Sequence, residues 1–212
     1  MMKAAAMILA LAVLGGCSGS NQSKTSEQSQ SAPAKPAAPA TETETGRAAF
    51  QHLYVAAHGW APDARPFRLE SVSTSDATGK DGKSAIWRAL FASAMRHSIK
   101  PYQWSGSSSP DAPSRGISPG TEDTYNPSNA TTQVFDIAFL KVDSDKAFEV
   151  AQKHGGEKIL KSKTEHPVTY VLDWNPRDNQ LVWHVYYGAS RSDANLAVDV
   201  NASDGAFLHT EK

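Results

Sequence analysis

The pentapeptide Gly116-Ile117-Ser118-Pro119-Gly120 matches G-x-S-x-G, a pattern in which a serine hydroxyl attacks a carbonyl carbon. That chemistry needs a strand before the serine and a helix after it, because the sharp turn between them exposes the hydroxyl beside oxyanion-stabilising amides. Proline and glycine surround Ser118 instead, and the sequence predicts neither element. We therefore expect the match to be coincidental, and hydrolysis by Ser118 is the weakest of the alternatives.

The histidines do not form a recognisable metal-binding or acid–base group. None is spaced as H-x-x-x-H or H-E-x-x-H, the spacings that bring two imidazoles onto one side of a helix. No pair of carboxylates is spaced for acid–base catalysis, and no glycine-rich phosphate loop follows a predicted strand. We expect no catalytic residue, no metal and no cofactor. The seven histidines are His52, His58, His97, His154, His166, His184 and His209.

The single cysteine, Cys17, ends an N-terminal segment that has the order of a secretory signal. Lys3 supplies a positive charge, and residues 4–13 form an apolar run that is too short for a transmembrane helix. The run leads into Leu14-Gly15-Gly16-Cys17, which resembles the lipobox of bacterial lipoproteins. The resemblance implies a signal peptide over residues 1–16, cleavage before Cys17, and attachment of acyl chains such as palmitate to this residue.

The residue after the cysteine bears on the membrane to which the chain is attached. Lipoproteins retained at the inner membrane often carry Asp at that position, whereas this chain carries Ser18. The resemblance therefore implies the cell envelope as the location, with the outer membrane favoured if the organism has one.

The remaining composition excludes several classes of protein. With Cys17 lipidated, no thiol is left for a disulfide, a catalytic cysteine or a zinc ligand. The formal net charge is −1 and no basic stripe is present, so nucleic acid is not an expected partner. Residues 18–45 lack every large apolar and aromatic residue, so we predict that residues 17–45 form a disordered tether.

Two stretches of alternating residues predict the centre of the fold. In Gln180–Gly205, the residues Leu181, Trp183, Val185 and Tyr187 alternate with Val182, His184 and Tyr186. This alternation, followed by a polar turn and a second alternating run, predicts two strands and a turn. Shifted by 96 residues, this stretch meets Ser84–Trp104 without a gap, and Trp87 falls on Trp183. Each stretch also follows a segment with helical periodicity and one further strand.

We therefore predict an α+β fold with two tandem units, each a helix followed by an antiparallel sheet. The first unit spans residues 46–105 and the second spans residues 143–212. Residues 106–142 join them through a long loop, either functional or disordered over 106–132, and a strand at Gln133–Val142. Glycines are expected to end both helices, at Gly59 and at Gly155-Gly156.

Three features of the second unit resemble the PepSY domain. They are the helix DSDKAFEVAQKHGG, the strand Val182-Trp183-His184-Val185, and the closing segment Val198–Gly205. The order Val200-Asn201-Ala202 departs from the family's pattern, and the first unit keeps little beyond Trp87 and its hairpin. The resemblance implies a small α+β module outside the membrane, without catalytic residues. Some members of the family are thought to restrain peptidases.

The alternation also separates core residues from candidate binding residues. Trp87 and Trp183 lie on the apolar side of their strands, so we expect both to be core anchors. The opposite side carries Arg88, His184 and Tyr186, which form a candidate binding face for a polar partner. Binding there requires that the other unit does not cover this face, and an ordinary solvated sheet face is the interpretation that the pattern favours.

Together these observations predict a lipid-anchored, non-enzymatic binding or inhibitory module. Its expected partner is another envelope protein, such as a peptidase. A carrier of a small ligand in a concave sheet is the alternative, and that function requires a closed apolar cavity.

Overall fold

The fold is built on one antiparallel sheet to which both predicted units contribute. The computed structural model describes residues 39–162 and 166–211. Its strands are β1 Glu44–Thr45, β2 Arg65–Ser71, β3 Lys83–Ser84, β4 Ile86–Ser93, β5 Ser98–Ser105, β6 Gly116–Pro119, β7 Asp123–Thr124, β8 Val168–Asn175, β9 Gln180–Tyr187, β10 Ala197–Asn201 and β11 Phe207–Glu211. Its helices are α1 Gly46–Trp60, α2 Ser144–Ala151 and α3 Glu157–Leu160. The predicted α+β class is confirmed.

The two halves of the chain join edge to edge through β2 and β8. The nine-stranded sheet follows the order β11-β10-β9-β8-β2-β4-β5-β6, with β7 also paired to β5, while β1 and β3 form a separate pair. Every pairing between neighbours in the large sheet is antiparallel. The central part, β5-β4-β2-β8-β9-β10, has the same arrangement when read from either end. Duplication of the two units stays a prediction.

The helices cover one face of the sheet, and the buried apolar side chains there form a core shared by both halves. Helix α1 packs on β2, β4 and β5, whereas α2 packs on β9 and β10. Phe50 and Leu53 of α1 are buried, as the helical periodicity predicts. Leu181, Trp183 and Val185 of β9 belong to this core, whereas Tyr186 packs in a separate cluster, so the predicted alternation of this strand is confirmed.

Two indoles meet at the centre of this core. Trp87 and Trp183 are fully buried, and their rings pack edge to face with centroids 6.3 Å apart. Each indole N–H donates to a carbonyl near the start of a helix: Trp87 to Glu44 and Trp183 to Val142, both at 2.9 Å. The predicted role of both tryptophans as core anchors is therefore confirmed, and each also fixes a helix start.

The first turns of α1 and α2 meet beside these indoles and share one carboxylate. Asp143 Oδ1 accepts hydrogen bonds from the backbone N–H of Ser144 in α2, at 2.7 Å, and of Arg47 in α1, at 2.9 Å. Thr45 precedes α1 but makes no side-chain capping bond, and its hydroxyl donates to Asp143 Oδ2 at 2.7 Å. Ser144 Oγ accepts from the N–H of Gly46 at 2.7 Å. Helix α1 is therefore capped by residues of the other half of the chain.

The predicted strand at Gln133–Val142 is wrong. The segment contains a 3₁₀ turn at Ile137–Phe139, because the carboxylate of Asp136 accepts from the N–H of Ala138 at 2.8 Å and favours a local turn. Phe135 is buried, whereas Ile137 and Phe139 are partly exposed, so the three side chains do not share one environment.

The long loop and residues 39–45, the described end of the predicted tether, are more structured than the sequence predicts. Residues 106–132 include the edge strands β6 and β7, which pair with β5. The described structure begins at residue 39, before the predicted start at Gly46. Glu42 N–H donates to Gly106 O at 2.9 Å, and β1 pairs with β3. The signal segment, Cys17 and most of the tether lie outside the described residues.

The predicted helix ends need correction. Helix α1 continues past Gly59 to Trp60. After α2 the chain makes a wider π-type turn at Gln152–Gly156, where Gly155 adopts φ +112°, and then resumes as α3. Gly156 lies so close to the hydroxyl of Tyr187 that a Cβ atom there would be 1.7 Å from it. The glycine pair thus bends the helix around the sheet rather than ending it.

Replacing Gly46 with Ala should destabilise the fold, because the added Cβ would lie 2.5 Å from Cη2 of the buried Trp183. We expect a loss of about 1–3 kcal/mol in the free energy of unfolding, the usual cost of overpacking a core. Urea denaturation followed by tryptophan fluorescence measures it.

Gly59 of the same helix supplies the matched control. An added Cβ there has no neighbour within 4 Å, and Ala is the better helix former, so Gly59→Ala should stabilise by about 0.5–1 kcal/mol. Equal effects of the two substitutions would contradict the proposed contact between α1 and the indole pair.

Candidate functional site: the charged outer face of the sheet

The outer face of the sheet, opposite the helices, carries a continuous row of ionisable side chains that we term the charge ladder. The cross-strand register creates it by placing outward-pointing residues side by side; Asp199, for example, stands opposite both His184 and His209. Acidic and basic residue types alternate along the row. In spatial order the charge ladder comprises Arg88, Glu70, Arg68, Asp173, His184, Asp199, His209, Glu211 and Arg191.

His184 lies at the centre of the charge ladder between two carboxylates. Its Nδ1 is 2.7 Å from Asp199 Oδ1, and its Nε2 is 3.1 Å from Asp173 Oδ1. An ionised carboxylate only accepts hydrogen bonds, so both ring nitrogens must carry protons to satisfy this geometry. The side chain is 15% exposed, which shields both bonds from water. The arrangement therefore holds His184 as an imidazolium.

The pKa of His184 reflects this competition. Burial disfavours the charged ring, but the hydrogen bonds and negative charges of Asp173 and Asp199 outweigh burial and raise the pKa to about 9. The second oxygen of Asp199 faces His209, whose Nε2 lies 3.4 Å away. A fixed positive charge consequently sits in the middle of the sheet face at neutral pH.

Glu70 organises one end of the charge ladder. Its carboxylate accepts from Arg68 Nε at 2.7 Å and from Arg88 Nε at 2.7 Å. Arg68 also donates from Nη1 to Asp173 Oδ2 at 3.0 Å, which connects this end to the histidine. The Glu70 side chain is only 14% exposed, so it is largely buried beneath the two guanidinium groups.

Tyr186 lies beside His184 on the same strand face, with nearly parallel rings whose centroids are 6.1 Å apart. Its ring is buried with Val171 and Ala197 in a small apolar cluster on the outer side of the sheet. Burial raises the pKa of Tyr186 to about 12, so the phenol is neutral at physiological pH and can donate a hydrogen bond. Within the described part of the chain, no residue is hydrogen-bonded to its hydroxyl.

Two open grooves meet at Tyr186. The first, which we term the central groove, has a volume of about 430 Å³ and is lined by His184, Asp199 and Asp173, among others. The second, the arginine groove, has a volume of about 330 Å³ and is lined by Arg68, Arg88, Arg191, Glu70, Tyr186, Val72 and neighbouring polar residues. Both volumes fall in the range typical of ligand sites.

The three residues predicted to form a binding face lie on the same outer face. Arg88 is about half-exposed, His184 is mostly buried, and Tyr186 is buried. Arg88 is therefore the one of the three that is most open to solvent.

Sequence reasoning missed the partners that give these residues their charge environment. Arg68, Asp173 and Asp199 occupy outward positions of β2, β8 and β10. Because side chains alternate between the two faces of a strand, their place on the outer face could be predicted from the sequence. Their pairing depends on the order and register of strands far apart in sequence, for which the chain carries no local signal.

Ser118 lies in β6, an edge strand, opposite Gln103 of β5. The next regular element is the short strand β7 rather than a helix, so the strand–turn–helix geometry of a nucleophilic serine is missing around it. Over residues 39–162 and 166–211, no histidine is hydrogen-bonded to Ser118.

Other kinds of site can be assessed in the same ranges. Among the described residues, no group of three or more His, Cys, Asp or Glu side chains is arranged to hold a metal ion. No helix in the described part of the chain is long and apolar enough to cross a membrane. A small, mainly apolar cavity of about 140 Å³ lies between α1 and the Ile137–Leu140 turn.

The fold and outer face define an α+β protein with helices on one side of a large antiparallel sheet. No protein-family model matches the chain, and no protein of curated function matches its sequence. Its fold is similar to that of a candidate lipoprotein from Clostridium difficile 630, known from a crystal structure, with a TM-score of 0.52 and 10% sequence identity. The match covers 77% of this chain and 91% of that one, and at this identity it shows the fold alone.

The charged state of His184 makes the stability of the protein depend on pH. Its folded pKa of about 9 exceeds the ordinary value of 6.5, so its stabilising contribution is complete below pH 6.5 and is lost as pH rises through 9. His184→Gln should therefore cost about 2–3 kcal/mol at pH 6 and much less at pH 9.5. Urea denaturation at the two pH values measures the difference.

Nitrogen NMR tests the cause of that dependence. Both ring N–H groups of His184 should be detected at pH 7.5, and Asp199→Asn should lower the pKa of this ring. The exposed His52 provides the control, since His52→Gln should change stability by less than about 0.5 kcal/mol. Detection of a neutral His184 ring at pH 7.5 would contradict the assignment.

Proposed function

We propose that the protein is a lipid-anchored, non-enzymatic binding module of the bacterial cell envelope, and that the outer face of its sheet binds another envelope protein. The observation that carries this proposal is the asymmetry of the sheet. Helices and core cover one face, whereas the other carries the charge ladder and two open grooves. Polar grooves of this size beside fixed charges suit recognition of a charged partner.

Stability alone is a weak explanation for the charge ladder. Exposed ion pairs contribute little to stability, and largely buried ones often lose in desolvation what they gain in attraction. The carboxylates of Glu70 and Asp199, with 14% and 6% of their side chains exposed, carry much of that desolvation cost. An alternating row across six strands is better explained if it presents charge to a partner.

The proposed lipid anchor rests on the N-terminal sequence and is supported by the structural neighbour. Leu14-Gly15-Gly16-Cys17 has the order of a lipobox, and the protein of similar fold is itself described as a candidate lipoprotein. Two or more acyl chains, such as palmitate, give stable attachment, and Ser18 favours the outer membrane.

Two further parts of the proposal come from the PepSY resemblance: both tandem units are PepSY-like, and the partner is a peptidase. The helix-then-strands order in each half and the equivalent positions of Trp87 and Trp183 support the tandem interpretation.

A carrier of an apolar ligand is the less favoured function. The apolar cavity beside α1, at about 140 Å³, is smaller than the range typical of ligand sites. The two larger grooves are open and lined by charged side chains, which suits a polar partner better.

Replacing Cys17 with Ser should abolish incorporation of an alkyne-tagged palmitate in the native host, because a hydroxyl does not replace the thiol that the lipidating enzyme uses. The protein should also leave the membrane fraction. Ser18→Asp serves as the control: it should keep the label but move the protein towards the inner membrane. Undiminished labelling of Cys17→Ser would contradict the lipobox interpretation.

A photoreactive amino acid placed on the outer face should crosslink to the partner in intact envelopes. Suitable positions are Ser73, beside the arginine groove, and Arg177, beside the central groove, because neither belongs to the charge ladder. We expect a discrete adduct of one mass from both positions, and mass spectrometry identifies the attached protein.

Val55 gives the matched control for this experiment. It is 72% exposed on α1, on the opposite side of the sheet, and should give no adduct. Charge reversal by Arg191→Glu should reduce the adducts at Ser73 and Arg177 at least about fivefold. An adduct at Val55 of equal yield, or none at the two outer positions, would contradict the proposal.

A further inference from the structure

The positive charge of the outer face is concentrated in the arginine groove. Three arginines, Arg68, Arg88 and Arg191, line it together with one acidic residue, Glu70. In the central groove, by contrast, four acidic side chains balance three arginines and the imidazolium of His184. The arginine groove is therefore the cationic end of an otherwise balanced face.

The three arginines keep hydrogen-bond donors for a ligand. A guanidinium has five N–H donors, and Arg191 uses only Nη2, in a 2.8 Å bond to Glu211, among the described residues. Arg88 directs Nε and Nη2 to Glu70, which leaves Nη1 without a described partner. The side chains of Arg191 and Arg88 are 67% and 48% exposed, so these donors are accessible from solvent.

Tyr186 supplies an independent observation in the same groove. Only 5% of this residue is exposed, yet no described residue is hydrogen-bonded to its hydroxyl, and the residue lines the groove. Packing against Val171, Ala197 and the ring of His184 fixes its position. The hydroxyl oxygen itself reaches solvent at the groove, so it can donate a hydrogen bond to a ligand there without breaking one inside the protein.

We propose that the arginine groove binds an acidic peptide segment of the partner protein, whose carboxylates accept hydrogen bonds from Arg191, Arg88 and the hydroxyl of Tyr186. A carboxylate has two in-plane oxygens that match the parallel N–H groups of a guanidinium. Val72, 36% exposed at the rim, offers an apolar contact for the methylene groups of a glutamate. This inference rests on the proposed function, since it assigns the chemistry of the partner at the same face.

Peptide titration of the full chain in a nonionic detergent tests this inference. The probe is a blocked peptide with four consecutive glutamates, and a peptide of four glutamines is its neutral counterpart. The glutamate peptide should shift the backbone NMR signals of Val72, Ser73 and Ser190 and bind at least about tenfold more tightly than the glutamine peptide. Acetate and inorganic phosphate are titrated separately to distinguish a peptide site from a site for free anions.

Three substitutions separate the groove from general electrostatic attraction. Arg191→Gln should weaken binding of the glutamate peptide about tenfold, because it removes a guanidinium and its charge. Tyr186→Phe should weaken it about three- to tenfold, because it removes one hydroxyl donor. Arg65→Gln removes the same charge from an exposed position of β2 outside the groove and should change the dissociation constant less than about twofold. Unchanged NMR spectra away from the groove establish that each variant is folded.

The outcomes are decisive in both directions. Equal binding of the two peptides, equal losses in Arg65→Gln and Arg191→Gln, or phosphate binding as tight as the glutamate peptide would each overturn the inference. If Ser73 and Arg177 still crosslink to one protein while the glutamate peptide does not bind, this inference fails and the proposed function stands. If the peptide binds but neither position crosslinks in envelopes, the proposed function fails instead.

Discussion

The carboxylate of Asp143 joins the two halves of the molecule at the point where both long helices begin. Each helix start carries partial positive charge from its unpaired amides, and two such ends in contact would repel without an anion between them. Asp143 accepts from the first turns of both α1 and α2, and its second oxygen accepts from Thr45. Beneath it, the N–H groups of Trp87 and Trp183 bind the carbonyls of Glu44 and Val142.

This junction explains why the molecule has two different faces. Because the first turns of α1 and α2 meet at one point, both helices extend over the same side of the sheet, and both halves share one core. No helix covers the outer face in the described part of the chain, so that face consists of side chains from the strands. An antiparallel sheet tolerates this, since its alternating residues satisfy an apolar face and a polar face at once. The charge ladder is the polar half of that alternation, ordered by the register between β4 and β11.

The sequence predicts the parts of this structure that depend on local periodicity. The alternation around Trp183 and Trp87 identifies the central strands, their inward face and the outward position of His184. The alternation does not reveal that Asp143, rather than Thr45, caps α1. The contact between Thr45 and Asp143 spans 98 residues and depends on the pairing of β2 with β8. The apolar segment around Phe135 has the composition of a strand, yet the side chain of Asp136 turns it into a 3₁₀ turn.

The same limit applies to the candidate site. Arg88, His184 and Tyr186 could be assigned to one face from their strand positions. The partners Asp173 and Asp199 could not be assigned to His184, because those contacts exist only once β8, β9 and β10 are aligned. A charged residue at an outward strand position is common and does not by itself indicate a binding site. The site can be recognised only from the side chains that the neighbouring strands place beside that residue.

Oxidative footprinting in intact envelopes tests most directly whether the outer face is the binding face. Hydroxyl radicals modify exposed side chains, and comparison with the purified protein reports which ones a partner covers. The account predicts that modification of His209, whose side chain is 48% exposed on the outer face, falls in the envelope. Modification of Val55 and Met95, which are 72% and 77% exposed elsewhere, should stay unchanged. Protection of Val55 with unchanged modification of His209 would contradict it.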